Sequence, residues 1–473
     1  MIPVPAFKDR SVAVFGLARS GITAAKALIA GGANVHAWDD NEASRERAAA
    51  EGVPVTDLNK RDWSDLAALV LSPGVPLTHP EPHRMVQLAR ATDTPVIGDI
   101  ELFALTLEAM PPAERPRVVG ITGTNGKSTT TALTGHILHR AGLDVRVGGN
   151  IGRGVLDLDA PYRGAVYVIE LSSYQLDLTH SLRCHAAALI NLEEDHLDRH
   201  GDMEGYARAK MRIFANQQAD DFAVVGVDDP MSRRIANRFN VEKQRRVVPV
   251  SASRALSRGV YALGGGLYDS MQGSARKVAD LTRALALPGR HNAQNAAVAY
   301  SLARRFDISA EIIAEALVSF PGLAHRIEVV GRRGEVLFVN DSKATNADAA
   351  KNALAVYDDI FWIAGGRAKK ETLAKLKPYF PRIAKAYLIG EAAKSFSDQI
   401  RGEVDVDMSG DLETAVARAS ADAAASGRPN PVVLLSPACA SFDQFKDFED
   451  RGDAFRGLVA GLSGVNPRQM AEA

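Results

Sequence analysis

This chain of 473 residues lacks a disulfide framework, a membrane span and a strong net charge. Its two cysteines, Cys184 and Cys439, are too few to form a network of disulfides, which suits a reducing compartment. The formal net charge of −1 gives no excess of basic residues that would favour nucleic acid or an anionic membrane. No apolar run reaches the ~20 residues that span a bilayer, and MIPVPAFKDRSVAVFG lacks the apolar core of a signal peptide. We therefore expect a cytoplasmic protein with no nucleic-acid partner and no membrane span.

The stretch GITGTNGKSTTT, residues 120–131, has the composition of a phosphate-binding loop. The strict pattern requires glycine five residues before the Gly-Lys pair, where this chain has Ile121. Gly123 and Gly126 still allow backbone amides to converge on an anion at the start of a helix. Lys127 can reach terminal phosphates, and the hydroxyl of Ser128 can bind Mg²⁺. We predict a nucleotide-phosphate loop here; the alternative is a glycine turn with a chance Gly-Lys-Ser.

A second glycine loop, GLARSG at residues 16–21, resembles the dinucleotide-binding fingerprint, although Ala18 replaces its middle glycine. Asp39 and Asp40 end the next strand, where an acid would meet a ribose. An isolated and imperfect fingerprint is weak, so an ordinary tight turn is an equal alternative.

Short apolar runs alternate with helical patterns from end to end, which is typical of βα units built on parallel sheets. The alternation restarts after the proline-rich stretch MPPAERPR and again around PGLAHR. We predict an α/β protein of three domains. They are a Rossmann-like N-terminal domain over residues 1–110, a central P-loop ATPase domain with a mostly parallel sheet over 111–321, and a Rossmann-like C-terminal domain over 322–473.

Three polar features follow the apolar runs. Glu170 ends the strand VYVIE, where it could hold Mg²⁺ or be an ordinary surface acid. His196 and His200 have the i, i+4 spacing of zinc ligands, but no third ligand pattern accompanies them, so we do not favour zinc. Lys210 by itself is expected on an exposed helix face.

The stretch DSKATN, residues 341–346, follows an apolar strand. In an extended chain Asp341 and Lys343 would lie on the same face, as functional charges at a strand end. The alternative is a helix start capped by Asp341, Ser342 or Asn346.

Seven short segments of the sequence occur in the order found in the Mur ligases. The chain resembles that family over nearly its whole length. They are TGTNGKS, ELSSYQL, NLEEDHLDRH, the lysine in YARAKMRIF, GRHNAQN, AHR and NDSKATN. Mur ligases are ATP-dependent amide-bond ligases of peptidoglycan precursor synthesis. The C-terminal LLSPACASFDQFKDFEDRG is similar to that of members that add D-glutamate. A ligase for another amino acid and folylpolyglutamate synthase remain alternatives, as do a nucleotide-dependent dehydrogenase and a P-loop ATPase or kinase.

The resemblance implies ATP, two Mg²⁺ ions and the small-molecule substrates UDP-N-acetylmuramoyl-L-alanine and D-glutamate, and we expect a monomer. It implies ATP contacts from Gly123, Thr124, Asn125, Gly126, Lys127, Ser128, Thr129, Asn292, Asn295, Arg326 and Asp341. It implies metal binding by Ser128, Glu170, His196 and a CO₂-carbamylated Lys210, with Lys127, Glu170, His196 and Lys210 catalytic. It implies contacts to the UDP-linked acceptor from Arg19, Ser20, Asp39, Ser72, Gly74, Asn150, Ser172 and Gln175. It implies D-glutamate contacts from Lys343, Thr345, Lys369, Ser441 and Phe448.

The chain departs from the family pattern at two loops. Asp39-Asp40-Asn41 stands where Asp-Thr-Arg is usual, which removes a hydroxyl and a cation from the expected uracil contacts. Gly366-Arg367-Ala368-Lys369 replaces Gly-Asp-Gly-Lys near the expected D-glutamate site.

Overall fold

The structure, a computed structural model, describes residues 1–242, 245–367 and 372–467. Its strands form three sheets, which lie in two compact units. One unit comprises residues 1–283 and 292–317, and the other comprises residues 284–291 and those from 318 onward. The predicted α/β class with mostly parallel sheets is confirmed, while the limits 1–110, 111–321 and 322–473 stay a prediction.

The N-terminal sheet is fully parallel, with strand order β2-β1-β3-β4. Its strands are β1 (Ser11–Phe15), β2 (Asn34–Trp38), β3 (Leu66–Leu71) and β4 (Val96–Ile97). Its helices are α1 (Arg19–Ala30), α2 (Glu42–Ala50), α3 (Arg84–Ala91) and α4 (Asp99–Ala109). Because β1 has β2 on one side and β3 on the other, the loops after these three strands meet at one edge, where ligands bind in such sheets.

The central sheet has the order β13-β12-β11-β10-β9-β8-β5-β7-β6 and is parallel except at β12 and β13. Its strands are β5 (Arg117–Thr122), β6 (Asp144–Gly149), β7 (Ala165–Glu170), β8 (Ala186–Leu189), β9 (Phe222–Gly226), β10 (Arg246–Ser251), β11 (Val260–Leu263), β12 (Gly266–Asp269) and β13 (Arg276–Asp280). The helices of this part of the chain are α5 (Lys127–Arg140), α6 (Ser173–Asp177), α7 (Leu197–His200), α8 (Met203–Met211), α9 (Pro230–Glu242), α10 (Gly289–Ala303) and α11 (Ala310–Ser319). Strands β5, β7 and β8 are neighbours and almost wholly buried, which explains their unbroken apolar sequences.

The C-terminal sheet has the order β18-β17-β16-β19-β15-β14-β20, with β14 and β20 antiparallel to their neighbours. Its strands are β14 (Glu328–Arg333), β15 (Val336–Asn340), β16 (Ile360–Gly365), β17 (Ile383–Ile389), β18 (Val406–Gly410), β19 (Val432–Leu435) and β20 (Asn466–Pro467). Its helices are α12 (Ala347–Leu354), α13 (Ala393–Ile400), α14 (Leu412–Ala425) and α15 (Phe448–Ala460). Across residues 1–242, 245–367 and 372–467, none of the helices combines the length and hydropathy that a bilayer span requires.

Two acids at the start of α4 attach it to the chain around α6. The carboxylate of Glu101 accepts hydrogen bonds from the backbone N–H of His180 at 2.6 Å and from the hydroxyl of Ser181 at 2.8 Å. Asp99 accepts a bond from Nε2 of Gln175 at 3.4 Å, and burial raises the pKa of Asp99 to about 6. The last helix of the N-terminal sheet is therefore fixed to the central sheet by buried polar contacts.

Replacing Glu101 with glutamine should lower the free energy of unfolding by ~2 kcal/mol, because hydrogen bonds to a charged group contribute about 1.5–3 kcal/mol. Glu108→Gln, at an exposed position of α4, is the matched control and should change stability by less than ~0.5 kcal/mol. Urea unfolding of both variants and the parent measures the difference. Equal stabilities of the two variants would contradict this role of Glu101.

Candidate active site

The loop between β5 and α5 has the predicted order of strand, glycine loop and helix. Gly126 has a φ of +84°, and a Cβ there would lie 2.3 Å from Oδ1 of Asn295, so only glycine suits this position. Ile121, which departs from the strict motif, is a buried residue of β5. The missing glycine therefore falls in the strand and leaves the loop intact.

Asn191 holds the backbone of this loop. Its Oδ1 accepts hydrogen bonds from the N–H groups of Thr124 at 3.1 Å and Asn125 at 2.9 Å. The hydroxyl of Thr124 is also 3.2 Å from that of Tyr206 on α8. Sequence analysis missed Asn191 and Tyr206, although Asn191 follows the buried strand β8 closely, at the sheet edge where ligands bind.

Two lysine amino groups converge on the carbonyl of Gly123. Nζ of Lys127 donates to it at 3.0 Å, and Nζ of Lys210 donates to it at 2.8 Å. Lys210 also lies 3.3 Å from the hydroxyl of Thr122, and its Nζ is 4.7 Å from the centroid of the Tyr206 ring.

Lys210 is only 1% exposed, so the expectation of a solvent-facing helix lysine is wrong. Burial lowers its pKa well below the ordinary value, and the nearby charge of Lys127 lowers that pKa further. This environment therefore favours the neutral form more than an exposed lysine would, and in the neutral form the nitrogen lone pair is available for reaction with an electrophile.

Glu170, the last residue of β7, is also only 1% exposed, so the alternative of a surface acid is wrong. Its Oε1 accepts a hydrogen bond from Nδ2 of Asn150 at 2.8 Å, while its Oε2 is buried with no hydrogen-bond partner among the described residues. Its charge acts on Lys210 in the opposite sense to burial and raises the pKa of that amine. An unsatisfied carboxylate oxygen, with the buried hydroxyl residue Ser128 at the start of α5, provides the hard oxygen donors that Mg²⁺ prefers.

His196 precedes α7 in a left-handed conformation, with a φ of +55°. Its Nδ1 is 2.8 Å from the hydroxyl of Tyr174, and its Nε2 is 3.3 Å from Asp195. Burial lowers its pKa, and the charge of Asp195 opposes that change. Within the residues that the structure describes, no group of three or more His, Cys, Asp or Glu side chains is placed to hold a metal ion.

The predicted asparagines of α10 contact the phosphate-loop helix. Oδ1 of Asn295 accepts a hydrogen bond from the hydroxyl of Thr130 at 3.1 Å, and its Nδ2 donates to Asn292 at 3.0 Å. Thr129 is half-buried in the first turn of α5. These side chains support the loop from behind, and their proposed contacts with ATP stay a prediction.

Five residues predicted for the UDP-linked acceptor follow β1, β2 and β3 at one edge of the N-terminal sheet. Arg19 and Ser20 begin α1, and Asp39, Ser72 and Gly74 lie in the loops after β2 and β3. The hydroxyls of Ser20 and Ser72 are 3.5 Å apart, and Asp39 accepts a bond from the N–H of Leu17 at 2.6 Å. Asp40 and Asn41, which depart from the family pattern in this loop, both have intramolecular contacts. Asn41 caps α2, and Asp40 is 3.2 Å from Nε2 of His83.

The other predicted acceptor contacts lie beside Glu170. Asn150 binds that carboxylate directly. Ser172 and Gln175 form a capping box at the start of α6, with the hydroxyl of Ser172 accepting from the N–H of Gln175 at 3.2 Å. All three side chains therefore have intramolecular partners, which fix the strand end that carries Glu170.

In the C-terminal unit, DSKATN forms a turn, with the N–H of Ala344 donating to the carbonyl of Asp341 at 2.9 Å. The extended arrangement is therefore wrong, and Asn346 caps α12 as the alternative predicted. Nζ of Lys343 lies 3.5 Å from the centroid of the Phe448 ring. The N–H of Thr345 donates to the carbonyl of Lys343 at 2.8 Å, so the turn brings three of the predicted D-glutamate contacts together.

Arg451, which sequence analysis missed, fixes the loops around this turn. It is 1% exposed and donates to the carbonyls of Ser342 at 2.9 Å and Cys439 at 3.1 Å. Burial lowers its pKa to about 10, so it stays charged at neutral pH. Ser441 is buried and lies two residues after Cys439 in the sequence. Lys369 lies outside the described residues.

Asp341 is buried at the end of β15. Its Oδ2 accepts a hydrogen bond from the hydroxyl of Ser436 at 2.8 Å, and its Oδ1 accepts one from the N–H of Ile327 at 3.2 Å. Burial raises the pKa of Asp341 to about 7, although the charge of Arg326 acts against that change. Arg326 lies between two residues with positive φ, His325 at +62° and Ile327 at +47°, a conformation that is unusual for a β-branched residue.

Comparison with known proteins gives both local and full-length matches. Residues 121–303 match the Mur ligase middle domain, and residues 325–439 match the glutamate ligase domain of Mur ligases. The chain is 59% identical over 463 residues to a UDP-N-acetylmuramoylalanine–D-glutamate ligase of Caulobacter vibrioides, covering 98% of each chain. It is 58% identical to the protein of that name from Phenylobacterium zucineum, again over 98% of each chain.

Two solved structures show the same fold. The UDP-N-acetylmuramate–alanine ligase of Thermotoga maritima has a TM-score of 0.54 at 17% identity, covering 94% of this chain and 98% of that one. The MurF ligase of Thermotoga maritima in complex with ADP has a TM-score of 0.55 at 16% identity, covering 83% of this chain and 89% of that one. At such identities the likeness concerns the fold alone.

The raised pKa of Asp341 predicts a pH-dependent stability. Because the folded pKa of about 7 lies above the ~3.9 of an unfolded aspartate, only the folded chain binds this proton between those values. The contribution of this group is fully present below about pH 4 and is lost as the pH rises through about 7, with a slope approaching ~1.4 kcal/mol per pH unit.

Asp341→Asn should remove this slope, whereas Asp405→Asn, at an exposed position, should keep it. Urea unfolding of the parent and both variants at several pH values from about 5 to about 8 measures the difference. A parent and an Asp341→Asn variant with parallel pH profiles would contradict the assignment.

Proposed function

The chain belongs to the Mur ligase family, and we propose that it is an ATP-dependent ligase that joins D-glutamate to UDP-N-acetylmuramoyl-L-alanine for peptidoglycan precursor synthesis. The observation that carries this proposal is the match, over nearly the full length of both chains, to relatives of that name. Its low cysteine content and lack of a strong net charge support a cytoplasmic protein. We assign it as a monomer, with ligands distributed over domains 1–110, 111–321 and 322–473.

The reaction requires activation of the acceptor, because a carboxylate does not react with an amine at neutral pH. A carboxylate oxygen of the acceptor attacks the γ-phosphorus of ATP, and the bond from that phosphorus to the oxygen that bridges it to the β-phosphate breaks. ADP departs, and the acceptor is now an acyl-phosphate. The amine of D-glutamate then attacks the acyl carbon and loses a proton. Phosphate leaves as the amide bond forms.

Two anions meet in the first step, so the site must neutralise negative charge. Lys127 would bind the terminal phosphates of ATP at the start of α5. Ser128, Glu170, His196 and the carbamate of Lys210 would hold two Mg²⁺ ions, which when bound would offset the phosphate charge. The buried Oε2 of Glu170, which has no hydrogen-bond partner among the described residues, supports the binding of such an ion.

The neutral amine of Lys210 would attack the carbon of CO₂ and lose a proton, so that a carbamate forms. Its burial and its proximity to Lys127 support this modification, because both lower the pKa of the amine and so favour its neutral form. A carbamate replaces a buried amine with oxygen donors that suit Mg²⁺. In the C-terminal domain, Lys343, Thr345, Lys369, Ser441 and Phe448 would bind D-glutamate.

The purified protein with ATP, Mg²⁺ and UDP-N-acetylmuramoyl-L-alanine should release ADP when D-glutamate is added. L-glutamate, L-alanine, D-alanine, L-lysine and diaminopimelate should give no turnover. A coupled assay for ADP, with chromatography of the uridine-linked product, measures this specificity. Turnover with another amino acid and none with D-glutamate would overturn the assignment, and ADP release without any amino acid would favour an ATPase.

Lys210→Ala should lose ~10²-fold or more in kcat, because it removes a group that stabilises charge at the reacting phosphate. Acetate or propionate should restore part of the activity by supplying a carboxylate in the place of the carbamate. Arg208→Ala, at an exposed position on α8, is the matched control and should keep full activity. An unrescued Lys210→Ala enzyme with the activity of the parent would exclude the carbamate.

A further inference from the structure

Arg199 joins two segments of the site that are distant in the sequence. It belongs to α7, three residues after His196, and its guanidinium reaches the loop that follows β3. Its Nη1 donates to the carbonyl of Gly74 at 2.7 Å. Its Nη2 donates to the carbonyl of Val75 at 2.7 Å and contacts that of Pro73 at 3.4 Å. One side chain thereby holds three consecutive backbone carbonyls of the loop where the acceptor contacts Ser72 and Gly74 are expected.

The same guanidinium packs on Tyr174, with its Cζ 4.6 Å from the centroid of the ring. The hydroxyl of Tyr174 is 2.8 Å from Nδ1 of His196, so the ring that supports Arg199 also orients the histidine. His200 stacks on Tyr174 with ring centroids 5.6 Å apart. These contacts form a continuous chain from the loop after β3 to His196.

His200, which stacks on the Tyr174 ring, also contacts two other residues of α6. Its Nε2 is 2.9 Å from the hydroxyl of Ser173, and its Nδ1 is 3.3 Å from Asp177. This order of serine, histidine and aspartate matches that of a hydrolytic triad, but Ser173 is only 2% exposed and cannot reach a substrate. The three groups instead anchor α6 to α7.

We propose that Arg199 and Tyr174 are a positioning pair, which holds the acceptor-binding loop in register with the phosphate site. Arg199 fixes the backbone of residues 73–75, and Tyr174 fixes the imidazole of His196. Phosphoryl transfer from ATP to the acceptor carboxylate tolerates little displacement, since a shift of about 1 Å can cost ~10²-fold in rate. This inference rests on the proposed function, because it takes the loop after β3 as the site of the uridine-linked substrate and His196 as a residue of the metal site.

Arg199→Met tests the first half by equilibrium binding. We expect its affinity for UDP-N-acetylmuramoyl-L-alanine, measured by titration calorimetry without ATP or metal, to fall about tenfold. The KM for the same substrate should rise, while the KM for ATP stays within about twofold of the parent. Arg163→Met, at an exposed position, is the matched control. Arg199→Lys keeps the charge and one donor position, so we expect it to show an intermediate loss of affinity for the uridine-linked substrate. It replaces Arg199→Met as the test if a thermal melt shows that Arg199→Met folds poorly.

Tyr174→Phe tests the role of Tyr174. It keeps the ring that packs on Arg199 and removes only the hydroxyl that contacts Nδ1 of His196. We expect unchanged affinity for the uridine-linked substrate, but an affinity of the ADP complex for Mn²⁺ that is ~10–100-fold lower by electron paramagnetic resonance. Tyr162→Phe, on an exposed loop, is the control.

The two variants and the parent distinguish the possible failures. Substrate affinity of Arg199→Met equal to that of a parent that does bind would overturn the role of Arg199, and unchanged Mn²⁺ affinity in Tyr174→Phe would overturn that of Tyr174. A parent that binds no uridine-linked substrate would instead refute the proposed function, and this inference would fall with it.

Discussion

The burial of the Lys210 amine is the constraint around which the candidate site is arranged. A charged amine in that position would lose its hydration and would face the charge of Lys127, so the protein favours the neutral form. The amine donates a hydrogen bond to the Gly123 carbonyl at 2.8 Å, and the Tyr206 ring lies beside it. Glu170, at the end of β7, keeps one buried carboxylate oxygen without a hydrogen-bond partner among the described residues, so the site also contains an oxygen donor with spare capacity.

The parallel sheets explain how these groups reach one place. Glu170 ends β7, the phosphate loop follows β5, and Asn191 follows β8, and these three strands are adjacent in the central sheet. Residues separated by many positions in the chain therefore meet at one edge. Helix α8 contributes two side chains to the site, since Tyr206 and Lys210 lie one turn apart on its buried face.

Several parts of this arrangement could be predicted from local sequence. The glycine loop, the alternation of strands and helices, and the cap at Asn346 depend on the conformational preferences of a few neighbouring residues. The predicted exposure of Lys210 was wrong because a single lysine on a helix carries no sign of what packs against it. The extended DSKATN was wrong for a related reason, since Asp341 is held by Ser436 and Ile327, which lie outside that segment.

By itself, the sequence determined the α/β class, the order of the motifs and the chemical groups available for binding phosphate, Mg²⁺ and a carboxylate. Only the tertiary structure decided which of those groups are buried, which atoms lack a partner, and that Arg199 binds the loop after β3. The physical reason is that burial and hydrogen-bond pairing arise from contacts between distant segments. Composition and periodicity describe only near neighbours, so they identify Glu170 and Lys210 as candidates without giving the state of either group.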